Sequence, residues 1–306
     1  MVSDNFFISV IIPTYNGSQK IVRCLNALAK QTRLPNEVIV VIDGSTDDTQ
    51  EILNALKIDL NIQVIVQDNL GRSASRNSGV GKAKGNLLIY FDDDIRPSSE
   101  SIERHVNVHA KNQSIVISGQ ILEDTSLSDK DIFRFKAYLS QKWTSKYHEG
   151  INQLSHKNLF LTAANLSVRK EDFEKLGGFD SRLKDAEDFD LAMRALNAGM
   201  NVLFDKSNIA WHDDVITCKA YIQRQKQYQG AYNKLIQINP SYKDLVGERK
   251  LNLNFLKRSI YFVLSWKFWV DQIDKNRLTI LPKKIRYRFY DIVITGLSKI
   301  YPNRIS

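Results

Sequence analysis

The chain is poor in cysteine and has no long apolar run. Its two cysteines among 306 residues, Cys24 and Cys218, form no spaced pattern, so we predict neither a disulfide framework nor a zinc site, and a reducing compartment is favoured. Without a long uncharged apolar stretch, no transmembrane helix is predicted. Residues 1–5 carry Asp4 and no basic residue, which is not typical of a secretory signal. We therefore expect a cytoplasmic protein.

Acidic residues are scarce near the end of the chain. From Lys250 onwards there are 12 Lys and Arg against 3 Asp and Glu, whereas the whole chain has 43 and 34. The net charge of +9 therefore lies entirely in residues 250–306, because the preceding part has 31 residues of each sign. The same region has two apolar stripes with basic residues between them, and we interpret it as a helical, basic C-terminal extension.

Three interpretations of this extension stay open. Aromatic residues such as Trp266 and Trp269, beside Lys257 and Lys267, are typical of a helix on an anionic membrane surface, here the inner face of the plasma membrane. Nucleic acid would also attract such charge, but the chain has no nucleic-acid motif and we predict no nucleic-acid partner. Alternatively, the helices pack on the rest of the protein and expose a basic rim.

Strand and helix patterns alternate through the first part of the chain. Apolar runs predict strands at 7–12, 37–42, 62–66 and 87–91, and apolar spacing predicts helices at 20–30, 47–56 and 72–83. This alternation predicts an α/β fold with a mostly parallel sheet between two helix layers. Each strand ends in polar or turn residues, and these ends should converge on one crevice.

The rest of the chain is less regular. We predict a strand at 115–121, an extended segment at 157–168, helices at 128–142 and 186–198, and mostly helix after Thr217. We divide the chain into a substrate-binding half at 1–110, a second half at 111–216 and the helical extension at 217–306.

Three consecutive acidic residues, Asp92, Asp93 and Asp94, follow the predicted strand at 87–91. Carboxylates so close together repel each other unless a cation lies between them. Mg²⁺ or Mn²⁺ with oxygen ligands would fit, and such an ion favours a phosphate-bearing substrate. An ordinary acidic turn is the alternative, and these residues alone do not decide between the two.

Six motifs follow one another between Ser9 and His212. They are SVIIPTYN at 9–16, EVIVVIDGSTD at 37–47, NLG at 69–71 with RNSG at 76–79, DDD at 92–94, GGFD at 177–180 with EDFDL at 187–191, and WH at 211–212. In order and spacing the chain resembles the family 2 glycosyltransferases, which have the GT-A fold. One departure is Ile42, because that family commonly has two acids before Gly-Ser, and only Asp43 is kept here.

The resemblance implies a nucleotide site at the predicted crevice. Asp43 would accept a hydrogen bond from a uracil N–H, Tyr15 would stack on or flank the base, and Pro13 of the first motif would also belong to the nucleotide site. Arg76 would pair with phosphate or with the acidic cluster. Two alternatives stay open: Tyr15 as an aromatic residue covering a turn, and Arg76 in an ordinary surface salt bridge.

The resemblance also implies a metal site in the DDD motif. Asp94 would be the metal ligand, and Asp92 and Asp93 would hold ribose hydroxyls or a metal-bound water. His212 would contact the metal or the diphosphate, with a purely structural histidine as the alternative. Bound Mg²⁺ or Mn²⁺ would neutralise the departing diphosphate.

The pair Glu187-Asp188 matches an acidic pair whose second member is the general base in the family, so the resemblance implies that Asp188 is catalytic. Inverting transfer needs one carboxylate beside the acceptor hydroxyl, opposite the leaving diphosphate. Acids in the first turn of a helix also complement its dipole, which is the alternative interpretation. Asp190 is expected to support the neighbouring loop.

The implied activity is inverting transfer of a single sugar from a nucleotide-diphosphate sugar, with UDP favoured, to a hydroxyl of a glycan or lipid-linked saccharide in cell-surface polysaccharide synthesis. The Gln-x-x-Arg-Trp motif of processive members is absent, which favours single-sugar addition. Two alternatives stay open. A sugar-phosphate nucleotidyltransferase would have a glycine-rich, basic loop after the first strand, and a non-catalytic nucleotide-sugar or membrane-surface binding module would not need the acidic clusters.

Overall fold

A computed structural model describes residues 6–246 and 253–305. The strands within these ranges are β1 (Ile8–Thr14), β2 (Glu37–Asp43), β3 (Ile62–Gln67), β4 (Leu87–Phe91), β5 (Ile95–Pro97), β6 (Ile115–Glu123), β7 (Ile151–Gln153), β8 (Asn165–Arg169) and β9 (Asn201–His212). The α-helices are α1 (Ile21–Leu28), α2 (Thr49–Ala55), α3 (Arg72–Lys82), α4 (Ser101–Lys111), α5 (Asp131–Thr144), α6 (Lys170–Lys175), α7 (Glu187–Asn197), α8 (Cys218–Ile238), α9 (Lys243–Val246), α10 (Phe255–Leu264), α11 (Lys267–Asp274) and α12 (Lys283–Thr295).

The strands form one mixed sheet in the order β3-β2-β1-β4-β8-β6-β9-β5, and β7 pairs with β9. The four strands β1 to β4 are parallel to one another, as the alternating pattern predicts. Successive residues of β1 point to opposite faces of the sheet, so Ile11 joins one buried cluster while Val10 and Ile12 join another. Burial on both faces explains why these strands are uninterrupted apolar runs.

The antiparallel strands bring distant segments to the carboxyl end of β4. Phe91, the last residue of β4, pairs with Asn165 of β8. Ile95 of β5, just beyond the three acidic residues, pairs with His212 at the end of β9. The sheet therefore draws the DDD motif and His212 together although they are far apart in the sequence.

The chain divides into two compact units. The first consists of the described residues up to Leu122 together with Trp143–Asp213, and it contains almost the whole sheet. The second consists of Glu123–Lys142 and the described residues from Asp214 onwards. The second unit has its own apolar core, in which Phe135 of α5 packs against Tyr287 and Tyr290 of α12, with ring centroids 5.1 and 5.6 Å apart.

The strongest sequence patterns predict the elements well, and the weaker ones do not. The strand predicted at 87–91 matches β4, and the helix predicted at 72–83 matches α3 to within one residue. β1 continues through Pro13 to Thr14, because β4 pairs with it only as far as Ile11 and no N–H is needed on that side. Of the predicted extended segment at 157–168, only the end is a strand.

A buried polar network joins α4 to β8. His105 Nε2 lies 2.8 Å from Asn165 Oδ1, and Ser167 Oγ lies 2.8 Å from His105 Nδ1 and 2.9 Å from His109 Nε2. These distances fit neutral rings in which each Nε2–H donates and the Ser167 hydroxyl donates to His105 Nδ1. Burial lowers the pKa of His105 to about 4 and that of His109 to about 3.

None of the helices in the described ranges has both the length and the apolar character needed to cross a membrane.

Candidate functional site

The turn after β1 contacts the acidic cluster directly. The Thr14 hydroxyl donates to Asp93 Oδ2 at 2.6 Å, and Gly17 lies against both groups. A Cβ on Gly17 would stand 2.1 Å from Thr14 Oγ1 and 2.5 Å from Asp93 Oδ2, so only glycine fits there. Tyr15 projects from the same turn with 54% of its surface exposed, where it is accessible to a planar ligand.

Asp43, at the carboxyl end of β2, is buried and organises the next loop. Its Oδ1 accepts hydrogen bonds from Gln67 Nε2 at 2.8 Å and Leu70 N at 2.9 Å, and its Oδ2 accepts one from Gly71 N at 2.8 Å. A carboxylate has about four acceptor positions, so one remains for a further donor. The residue predicted to bind uracil therefore also holds the loop at 68–71 in place.

The first two acids of the DDD motif have opposite pKa shifts. Burial alone would raise the pKa of Asp92, but the positive charge of Arg76 beside it lowers that pKa below its ordinary value. Burial and the neighbouring Asp94 raise the pKa of Asp93 to about 7. A carboxylate cluster with one strongly raised pKa attracts a cation, because a positive charge would relieve the repulsion.

Asp94 and His212 form the pair that can hold a divalent cation. His212 Nε2 lies 3.6 Å from Asp94 Oδ2, and the two side chains are partly exposed. In an octahedral site, neighbouring ligands about 2.1 Å from the ion stand roughly 3 Å apart, so a small adjustment would let both reach one ion. Lys20 Nζ lies 3.7 Å from the same carboxylate oxygen.

This donor set fits Mg²⁺ or Mn²⁺ shared with a phosphate ligand. Across the residues that the structure describes, no group of three or more His, Cys, Asp or Glu side chains is positioned to hold a metal ion by itself. A site of one carboxylate and one imidazole leaves most coordination positions for water and for phosphate oxygens, as is usual for magnesium bound together with a nucleotide.

Arg76 links the DDD motif to the acidic pair of α7. Its Nη2 lies 2.5 Å from Asp92 Oδ1 and its Nη1 lies 2.5 Å from Glu187 Oε1. The side chain is 1% exposed and its guanidinium carbon lies 5.5 Å from the centroid of the Phe179 ring. Arg76 therefore contacts the acidic cluster, one of the two partners considered from the sequence.

Helix α7 begins with the acidic pair at the same edge of the sheet. Burial raises the pKa of Glu187 to about 7, although Arg76 opposes this shift. Asp188 is less enclosed than Glu187, and its Oδ1 and Oδ2 accept from Phe189 N at 2.7 Å and Ala163 N at 3.3 Å. Burial also raises the pKa of Asp188, which makes this carboxylate a better proton acceptor than an ordinary aspartate.

Asp190 supports the loop before α7, as expected from the sequence. Its Oδ2 lies 2.8 Å from Arg194 Nη2, and that guanidinium also donates to the carbonyl oxygens of Leu176 and, at 2.8 Å, Gly178. Gly177 and Gly178 both have positive φ, at 79° and 73°, which lets the chain turn here.

Trp211 lines a surface pocket in the first unit. The pocket has a volume of about 430 Å³, and Arg23, Lys30 and Arg96 are among its other lining residues. Trp211 is the register partner of Arg96, next to the pair formed by Ile95 and His212. Trp211 therefore forms part of the wall of this pocket.

The structure brings most of the predicted site residues to one edge of the sheet. Short contacts connect Asp92 and Arg76 with the acidic pair of α7, and Asp94 with His212. Thr14, Gly17 and Lys20 were not predicted from the sequence. Only the glycine carried a signal, because it follows the first strand closely, where a ligand or another side chain can approach the backbone.

Comparison with known proteins agrees with this architecture. The sequence model of "Glycosyl transferase family 2" matches residues 9–177. "Glycosyltransferase AglE" of Haloferax volcanii is 29% identical over 216 residues, which cover 69% of this chain and 68% of that protein. "O-antigen chain rhamnosyltransferase RfbN" of Salmonella typhimurium is 27% identical over 286 residues, which cover 92% of this chain and 88% of the relative.

Solved structures share the fold. S. aureus TarS 1–349 in complex with UDP-GlcNAc has a TM-score of 0.55 at 20% identity, and the match covers 97% of this chain and 92% of that one. The same protein in complex with UDP has a TM-score of 0.52 at 19% identity, with coverage of 97% and 91%. The GT-A fold with a C-terminal helical extension, expected from the sequence, is confirmed.

Proposed function

Because the chain belongs to glycosyl transferase family 2, we propose that it transfers a single sugar, with inversion, from a nucleotide-diphosphate sugar to a hydroxyl of a glycan or lipid-linked saccharide. The observation that carries the proposal is the bridge made by Arg76, which connects Asp92 beside the metal pair with Glu187 beside Asp188. A donor bound at the carboxyl end of β4 would therefore lie near a partly exposed carboxylate.

UDP is the favoured carrier. Tyr15 is exposed beside the sheet edge, and Asp43 keeps one acceptor position for an N–H of a base. Structures of the similar TarS protein contain UDP or UDP-GlcNAc, which supports a uridine donor for this chain. Thr14 positions Asp93 by its 2.6 Å hydrogen bond, so that the other oxygen of this carboxylate can accept from a ribose hydroxyl.

Asp94 and His212 would hold Mg²⁺ or Mn²⁺, which when bound supplies positive charge to the diphosphate leaving group. Lys20, 3.7 Å from Asp94, adds a second positive charge at this side of the site. The rest of the chemistry belongs to Asp188, whose carboxylate removes the proton from the acceptor hydroxyl as that oxygen attacks the anomeric carbon. Two backbone N–H groups fix its orientation.

The proposed setting is cell-surface polysaccharide synthesis at the inner face of the membrane. O-antigen rhamnosyltransferases and a poly(ribitol-phosphate) beta-glucosyltransferase are among the relatives, and their names concern polymers of the cell surface. A lipid-linked acceptor would require the enzyme to work next to a membrane. Membership of the glycosyltransferase family favours this function over nucleotidyl transfer to a sugar phosphate.

A thermal-shift panel of UDP, GDP and dTDP sugars, each with and without Mn²⁺, tests the donor class. We expect stabilisation by a UDP-sugar that is largest with the metal. Incubation with saccharide acceptors and NMR of the product would then report the anomeric configuration. Release of pyrophosphate from a nucleoside triphosphate and a sugar phosphate would instead identify a nucleotidyltransferase, and donor binding without any turnover would identify a binding module.

A further inference from the structure

An open apolar groove lies on the second unit. It has a volume of about 380 Å³ and is lined by five side chains, which we call the aromatic groove: Phe262, Val263, Trp266, Phe268 and Trp269. Trp266 exposes 55% of its surface and Phe268 exposes 58%. Further along α10, Phe255 and Leu256 are still more exposed. Exposed apolar side chains gathered on two consecutive helices mark a site of interaction.

The core of the second unit accounts for only one of these side chains, because Trp269 packs partly against it and its ring centroid lies 5.1 Å from that of Phe289. The fully buried part of that core takes Val270 and Ile273 from α11, and Tyr290 and Val293 from α12, which does not line the groove. α11 therefore buries one apolar face and presents Phe268 to solvent on another. A helix that serves only a protein core is expected to be polar on its outer face, yet α10 exposes Phe262 and Val263, and α11 exposes Phe268.

The polar atoms in the groove are already satisfied by the protein. Trp266 Nε1 donates to Phe262 O at 3.1 Å, and Trp269 Nε1 donates to Val263 O at 3.3 Å. Arg304 donates to Phe262 O at 2.6 Å and its guanidinium carbon lies 4.0 Å from the centroid of the Phe262 ring. The ring faces that remain are apolar and firmly held, with a cation beside them.

The charge around the groove is mostly positive, although the exposed Asp271 of α11 lies one helical turn after Phe268. Between Phe255 and Val270 the sequence contains no Asp or Glu, and Lys257, Arg258 and Lys267 are exposed. Residues 253–305 have 11 Lys and Arg against 3 Asp. A partner that covers the aromatic groove must therefore tolerate or attract a strongly positive rim.

We propose that the aromatic groove docks on an anionic lipid bilayer, with its rings among the headgroups and Lys257, Arg258 and Lys267 against lipid phosphates. A second copy of this chain fits less well, because a symmetric contact through one patch would bring like charges together. The biological purpose of the docking rests on the proposed function, since it would bring the enzyme to a lipid-linked acceptor.

Flotation of the full chain with vesicles tests the docking. The protein is expected to float with vesicles of equal parts phosphatidylcholine and phosphatidylglycerol, to stay at the bottom with phosphatidylcholine alone, and to dissociate at high salt. Trp266→Ser with Phe268→Ser should lower binding to the anionic vesicles by at least roughly tenfold. Lys257→Glu with Arg258→Glu should do the same through charge.

Matched controls come from other exposed residues of the chain. Leu34→Ser with Ile151→Ser removes two apolar side chains of similar exposure, and Lys57→Glu with Lys111→Glu reverses two exposed charges elsewhere. Both control variants should float like the parent protein. Equal flotation of the groove variants and their controls overturns the proposal, and so does equal binding to neutral and anionic vesicles.

Two further measurements separate the possible outcomes. If light scattering without lipid shows a dimer that Trp266→Ser with Phe268→Ser converts to a monomer, a second copy covers the groove and the lipid proposal is wrong. Sugar transfer to a soluble acceptor tests the proposed function alone. If the protein transfers sugar but does not float, only the docking proposal is wrong. If it floats but transfers no sugar, only the proposed activity is wrong.

Discussion

Arg76 and Glu187 form a buried ion pair in which Nη1 lies 2.5 Å from Oε1, and the other amino group of the same guanidinium lies 2.5 Å from Asp92. The pair joins α3 to the start of α7. Two more contacts of α3 reach the preceding loop: Ser73 Oγ donates to Leu183 O at 2.6 Å, and Arg72 Nη1 lies 3.3 Å from Asp185 Oδ1. Helix α3 therefore fixes the position of the DDD motif relative to the acidic pair of α7.

Replacement of Arg76 should be strongly destabilising. Arg76→Ala leaves Asp92 and Glu187 without their shared counter-charge, and loss of one partner of a buried pair costs about 3–5 kcal/mol. Urea unfolding would measure this loss, and adding Glu187→Gln should recover part of it. Arg182→Ala is the matched control, since that arginine pairs with Asp180 in solvent and should matter little. Equal stability of the two single variants would contradict the assignment.

Asp188→Asn should abolish turnover and spare donor binding. Removal of a general base typically costs 10²–10⁴-fold in rate, and the amide is close in size to the carboxylate, so we expect kcat to fall by roughly 10³-fold. Calorimetric titration with the donor should give nearly the parent Kd. Glu174→Gln, an exposed acid on α6, is the control for charge change. A variant that keeps more than a tenth of the parent kcat would remove Asp188 from the mechanism.

Loss of the metal ligands should weaken donor binding. Asp94→Asn is expected to raise the Mn²⁺ concentration for half-maximal activity by at least roughly tenfold, because the loss of even an outer-shell partner usually weakens metal binding by about 10–100-fold. A chelator added to the parent protein should abolish the thermal shift given by the donor. Asp59→Asn, in an exposed loop, should leave both readouts unchanged. Full donor binding with the chelator present would show that the site works without a metal.

Gly17→Ala should disturb the acidic cluster, because Gly17 lies against the Thr14 hydroxyl and the Asp93 carboxylate. The added methyl would stand within 2.5 Å of both Thr14 Oγ1 and Asp93 Oδ2, so their hydrogen bond must break or the turn must move. Overpacking of this kind costs about 1–3 kcal/mol, and donor affinity should fall with it. Gly81→Ala meets open space on helix α3 and should be neutral or stabilising by up to ~1 kcal/mol. Similar effects of the two substitutions would argue against the close approach at Gly17.

The buried histidines should make the protein less stable in acid. Their pKa values are about 4 for His105 and about 3 for His109, below the usual 6.5, so the unfolded chain takes up protons that the folded protein does not. The stability that these neutral rings contribute is therefore fully present above pH 6.5, and it is lost as the pH falls below that value. The raised pKa values of Asp93 and Glu187 act in the opposite direction, so the test must be a difference between variants.

His109→Gln isolates one of these contributions. The amide can still donate to Ser167, but it does not titrate. We expect the free energy of unfolding to fall by about 2 kcal/mol less in this variant than in the parent between pH 7 and pH 5. His156→Gln makes the same change at an exposed histidine and serves as the control variant. Identical slopes for the parent and His109→Gln would show that His109 does not contribute.

The strands of the sheet are easier to predict from the sequence than the contacts within the site. The strand at 87–91 is readable because a run buried on both faces is apolar throughout, whereas β5 and β7 have three residues each and no period to detect. Lys20 immediately precedes helix α1, and nothing in the local sequence indicates that its Nζ lies 3.7 Å from Asp94 Oδ2.

The resemblance identifies the acidic residues and offers Arg76 as a partner of the DDD cluster, but it does not indicate that the same arginine also binds Glu187. Asp92 and Glu187 are far apart along the chain, and only the packing of α3 shows that one arginine binds both. The hydrogen bond of Thr14 to Asp93 joins the ends of two neighbouring parallel strands, so it depends on their register. Such pairs follow from the assembled sheet and leave no local pattern in the sequence.

The second unit is discontinuous in the sequence, and this has a consequence for dissecting the protein. Helix α5, in the middle of the chain, supplies Ile132 and Phe135 to the core that the C-terminal helices complete, and Asp131 accepts from Arg286 at 2.5 Å. Deleting the chain after Asp214 would remove the helices that pack against α5 and would expose its apolar face to solvent. Aggregation of such a truncated protein would say nothing about catalysis. Point substitutions are therefore the better way to test the roles of the two units separately.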